Sequence, residues 1–175
     1  MGNPIDDVLA SDYLDGIDRL GMAELRQRRD ECHQIETGLS YFRRLIQGRL
    51  DIVHAEIARR EGGGEAPDLE HLIAQLPSIL AEHTGGGQAR GQLPEVIAPP
   101  DVDESELDAI IDADRLSTLP ELTDGAVGGL ADQLTDLERT VSSRRRALHE
   151  RIDALQAEIV RRYKSGEANV DALLR

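Results

Sequence analysis

Two stretches of this chain, each about forty residues long, carry an apolar residue at every seventh position. In the first the row is Leu25, Cys32, Leu39, Ile46 and Val53; in the second it is Val127, Leu134, Val141, Leu148 and Leu155. A seven-residue apolar period held over five repeats is the seam of a long helix packed on another helix. The companion rows, four residues further on, are only half apolar. They read Arg29, Glu36, Arg43, Leu50, Ile57 and Ala131, Glu138, Arg145, Ile152, Ile159. In both helices, then, charged residues replace rungs of the seam at matching places.

Those charged rungs belong to a stripe present twice, 102 positions apart: Glu36, Ser40, Arg43, Gln47, Asp51 and Glu138, Ser142, Arg145, His149, Asp153. Steps of 4, 3, 4 and 4 residues keep all five side chains within roughly 80° of arc on one helix face. The likeness extends further. Aligned without gaps, residues 36–60 and 138–162 are identical at eleven of 25 positions, among them Arg44, Arg49, Glu56, Arg59 and Arg60 of the first copy. Coiled-coil composition accounts for much of this, but not for Ser40 and Ser142 in register. Serine is a mediocre helix former, so a matched mid-helix pair points to a selected contact.

The composition fits helix-on-helix packing. There is no Trp, one Phe and three Tyr, and the single cysteine, Cys32, excludes an intramolecular disulfide and a cysteine-based metal cluster. Cys32 lies on the apolar row and reads as a core residue. The first residues show neither a basic start nor an apolar run, and no segment approaches the roughly 20 apolar residues that cross a bilayer. A cytoplasmic protein with no membrane association is expected. The net charge of −14 is uneven: residues 65–136 hold 16 acidic and 2 basic groups, while 22–64 and 137–175 are slightly basic. Such a chain repels nucleic acid and attracts basic proteins, so direct DNA binding is not expected.

The organisation follows. Residues 1–21 form an arm with a short helix or turn, and 22–62 the first coiled-coil helix with stripe copy 1. Residues 63–121 are an acidic connection, 122–163 the second coiled-coil helix with stripe copy 2, and 164–175 a tail. Within the connection, residues 67–83 read as a helix broken at Pro77, 84–100 as a Gly/Pro-rich flexible linker, and 103–116 as an acidic helix. The fold class is all-α: two long helices in an antiparallel coiled coil, with short helices and a flexible acidic connection between them.

The stripe E-x3-S-x2-R-x3-Q-x3-D resembles the motif of the RsiG family, cyclic-di-GMP-responsive anti-sigma factors of sporulating actinobacteria that restrain the sigma factor WhiG. Residues 36–51 match all five positions; 138–153 match four, with His149 in place of Gln. The resemblance implies an anti-sigma factor that holds a WhiG-like sigma factor in a complex requiring cyclic-di-GMP and so blocks developmental and sporulation genes. The ligand would be bound as two copies by the ten stripe residues.

The chemistry of those residues suits that ligand. Guanine offers O6 and N7 acceptors, which Arg43 and Arg145 can read in bidentate fashion. It also offers N1–H and N2–H2 donors, which Asp51 and Asp153 can accept. Ser40, Ser142, Gln47 and His149 suit phosphate or ribose oxygens, and Arg44, Arg49, Arg144, Arg146 and Arg151 add positive charge. A plainer reading treats the same residues as interhelical ion pairs that set register in a ligand-free coiled-coil adaptor or oligomerisation module. No catalytic constellation is visible: the chain has no nucleophile elbow, no phosphate-cradling loop and no metal box, so an enzyme is not expected.

Overall fold

The computed structural model describes residues 4–62 and 102–166; the expected helix at 67–83 and linker at 84–100 lie outside them. Seven elements follow in order: α1 (Pro4–Leu9), a 3-10 turn (Ile17–Arg19), α2 (Met22–Glu61), α3 (Ser105–Ile110), α4 (Ala113–Ser117), a second 3-10 turn (Leu119–Glu121) and α5 (Asp124–Ser165). No strand occurs among the described residues. The fold is all-α and dominated by α2 and α5, of 40 and 42 residues, each about 60 Å long.

The chain divides into two compact units, each holding half of both long helices. In the first (Met1–Ser40 with Ser142–Arg175), α2 and α5 run antiparallel: Arg29 donates to Gln156 at 3.1 Å, and Arg145 to Glu36 at 2.9 Å. Its core includes Val8, Leu25, Cys32, Leu39, Leu148, Leu155 and Ile159. In the second (Tyr41–Val141) the direction is again antiparallel, set by Arg43 on Glu138 at 2.7 Å and Arg60 on Asp124 at 2.7 Å. Phe42, Ile46, Val53, Leu107, Ile111, Leu119, Val127, Leu134 and Val141 fill its interior. All ten residues of the two seven-residue rows are buried. Removing them from water is the main term holding the helix pair together, because helix propensity alone sustains no helix of this composition.

The acidic segment near residues 103–116 differs from its expected form. It makes two short helices rather than one, because Ile111 turns extended (φ −155°, ψ 112°) and Asp112 caps α4 by accepting from the Arg115 amide at 2.8 Å. It is also packed: Leu107 and Ile111 are fully buried, and Arg49 of α2 binds Asp108 at 2.8 Å. The charge run from Asp103 to Asp114 is therefore the solvent face of a folded arm.

Candidate functional site

The 102-residue repeat reaches well beyond the stripes. The 3-10 turn at Ile17–Arg19 corresponds to Leu119–Glu121, and the start of α2 at Met22 to the start of α5 at Asp124. Each unit joins the arm and first half-helix of one repeat to the last half-helix of the other.

Four arginines, paired by the 102-residue repeat, hold those arms at corresponding places. In the first unit Arg151 Nε donates to Val8 O at 2.7 Å and its Nη2 to Leu9 O at 2.8 Å. Arg162 Nη2 donates to Ile17 O and Asp18 O, both at 3.0 Å, and Nη1 to Leu20 O. In the second unit Arg49 donates to Ile111 O. Arg60 donates to Leu122 O at 2.9 Å, Leu119 O at 3.1 Å and Pro120 O at 3.2 Å. Shifting Leu9, Ile17, Asp18 and Leu20 by 102 gives Ile111, Leu119, Pro120 and Leu122, so the acceptors correspond position by position. Arg49 and Arg151, read from sequence as spare positive charge for a ligand, are thus committed to tying down the arms.

Two buried carboxylates aim the clamps at Arg60 and Arg162. Glu56 accepts from Arg60 Nε at 2.6 Å and from Arg59 at 2.7 and 2.8 Å. Glu158 accepts from Arg162 Nε at 2.7 Å and from Arg161 at 2.8 Å through each of its oxygens. The paired guanidiniums stabilise the charged form, so both carboxyl groups are held down at about 2. The sequence carries the signal, since Glu-x-x-Arg-Arg is identical in both copies, but not the role of these residues in holding the arms.

The ten stripe residues sort into two sets. The first unit holds Arg145, His149, Asp153 and Ser142 of the second stripe together with Glu36 and Ser40 of the first; the second unit holds Arg43, Gln47 and Asp51 of the first stripe with Glu138 of the second. Each arginine is therefore met by the glutamate of the other stripe. Arg145 gives both Nε (3.2 Å) and Nη2 (2.9 Å) to Glu36 Oε1, which also accepts from Ser40 Oγ at 2.6 Å and lies 3.4 Å from His149 Nε2. Burial opposes ionisation of Glu36, but the bonds from Ser40 and Arg145 outweigh it, and its carboxyl sits below the usual range. In the second unit Arg43 Nε donates to Glu138 at 2.7 Å. These pairs keep about a quarter of their side-chain surface in solvent, with 24% for Arg145 and 23% for Glu138.

Asp51 and Asp153 stand further along the same faces, exposed and outside any ion pair among the described residues. Gln47 and Ser142 are half-buried. Each unit therefore presents a guanidinium oriented by a carboxylate, an amide or imidazole one turn on, and an exposed carboxylate two turns on. That arrangement offers planar donors and a charged acceptor along one edge. No cluster of three His, Cys, Asp or Glu side chains among the described residues is placed to hold a metal ion. No described helix is long and apolar enough to cross a membrane.

No curated protein matches the chain. The RsiG-like family profile matches residues 11–80 and 113–175, which take in both stripes, both 3-10 turns and all four clamp arginines. With most of its length matched, this chain belongs to the RsiG-like family, a family of regulatory anti-sigma factors rather than enzymes.

Proposed function

We propose that this protein is a cyclic-di-GMP-dependent anti-sigma factor that sequesters a WhiG-type sigma factor and so silences developmental and sporulation genes. The observation that carries the ligand assignment is the sorting of the stripes into two sets that share an arginine, a glutamate and an aspartate, with both serines in the first. Each set pairs one arginine and one exposed aspartate from the same stripe with a glutamate from the other. Glu36 takes the Nε–Nη2 edge of Arg145, which fixes the plane of the guanidinium before a ligand arrives. The Nη1–Nη2 edge then meets guanine O6 and N7, and Asp153 accepts from N1–H and N2–H2. Arg43 and Asp51 do the same in the second unit. A ligand with two guanines on a two-phosphate ring, bound as two copies, uses both readers.

The plainer reading, a ligand-free coiled-coil adaptor, draws on the same arginine–glutamate pairs as register-setting bridges. Labelled cyclic-di-GMP titrated against the chain alone, the sigma factor alone and both together separates the two. Tight binding that needs both proteins is expected. A complex with the sigma factor that forms equally well without nucleotide, or no nucleotide binding in any mixture, would overturn the proposal.

A further inference from the structure

The correspondence between the two halves fails at a side-chain pair outside the stripes. In the first unit Arg26 donates to the Tyr163 hydroxyl, and its guanidinium carbon lies 5.8 Å from the ring centroid. The corresponding positions in the second unit are Gly128 and Glu61. There a groove of about 380 Å³ opens, lined by Ile57, Arg60, Glu61, Asp124, Val127 and Gly128. A Cβ built on Gly125, Gly128 or Gly129 meets nothing within 4 Å, so packing among the described residues asks for none of these glycines. Glycine inside a helix is destabilising, and its use fits a site where something else approaches the backbone closely.

Charge indicates what approaches. Glu61 and Asp124 are exposed at the groove, and residues 116–138 contain five carboxylates and no Lys or Arg. Arg60 is already taken up by Glu56, Asp124 and three backbone carbonyls.

We propose that this groove docks a basic helix of the protein partner, with an arginine of that helix seated over Gly128 between Glu61 and Asp124, the place that Arg26 fills in the other half. Taken with the proposed function, the partner is the sigma factor; the helix laid on Gly125, Gly128 and Gly129 would be one of its basic segments.

Two variants test this. Glu61→Tyr with Gly128→Arg rebuilds the first unit's own pair and closes the groove from within. It should melt no lower than wild type, yet bind the sigma factor with cyclic-di-GMP at least about tenfold more weakly. Glu61→Lys reverses one exposed charge at a helix end and leaves the core intact. It should weaken the complex by about fivefold at low salt, with the difference shrinking as salt rises. If wild type and both variants form the complex equally well, the groove assignment is wrong while the anti-sigma reading stands. A wild-type chain that captures no sigma factor sinks both. Self-association of the wild-type chain that the double substitution removes would make a second copy the occupant and overturn the proposal.

Discussion

Arg145 of α5 spends two of its N–H groups on one oxygen of Glu36 of α2, and Arg43 of α2 donates through Nε to Glu138 of α5. Each stripe arginine is thus oriented by the repeat to which it does not belong. The orientation of each stripe arginine therefore depends on the register of both helices.

The first prediction concerns those arginines. Replacing Arg43 and Arg145 together by Ala should remove two guanine contacts, each worth about 1–3 kcal/mol. Lysine at both positions should not restore binding, because the planar fork is lost. Isothermal titration with cyclic-di-GMP in the presence of the sigma factor measures it; unchanged affinity would mean that these side chains do not read the base.

The glutamates give a separable effect. Glu36→Gln should still accept from Ser40 and Arg145 but lose the charge that fixes the guanidinium. Nucleotide affinity should fall by less than for Arg145→Ala, with helicity by circular dichroism unchanged. A larger loss than Arg145→Ala would assign Glu36, not Arg145, as the principal contact.

On the proposed function, selectivity for guanine falls to Asp51 and Asp153. Adenine carries an acceptor at N1 and no donor at C2, so cyclic-di-AMP should fail to compete with labelled cyclic-di-GMP. A site that loses hydrogen-bond partners discriminates strongly. Equal competition by the two dinucleotides would remove both aspartates from the site.

Arg162→Met tests the arm clamp. It keeps an apolar stem but strips three backbone carbonyls, of Ile17, Asp18 and Leu20, of their donor. A loss of about 1–3 kcal/mol is expected. Hydrogen exchange should rise at residues 17–21 and stay low along the middle of α2; protection unchanged at the turn would show that the clamp does not hold the arm.

Acid should act through Glu56 and Glu158. Both are held at about 2, below their ordinary value of 4.5. A depressed carboxylate adds stability that is fully present above the unfolded value and is lost as pH falls towards the folded one. The melting temperature should therefore drop between about pH 4.5 and 2, beyond what general charge repulsion produces. Glu56→Gln with Glu158→Gln should flatten that slope, and an identical slope in the variant would assign the acid sensitivity elsewhere.

The long helices were legible because their signal is local. A seven-residue period in Leu25–Val53 and Val127–Leu155 states which face is buried whatever the partner, and the stripe spacing puts Glu36 to Asp51 on one side of a helix. Sequence alone also showed that the stripe occurs twice. It could not show which glutamate meets which arginine, because that depends on the register between α2 and α5, which is set across the helices and not along them. Nor could it show how the arms are held: Arg60 and Arg162 bind main-chain carbonyls, and a carbonyl carries no side-chain identity to be read. The two halves look alike in sequence mainly over residues 36–60 and 138–162. The folded chain shows that the likeness extends to the turns at Ile17 and Leu119, where the sequence carries it only at scattered positions such as Leu14 and Leu116 or Leu20 and Leu122.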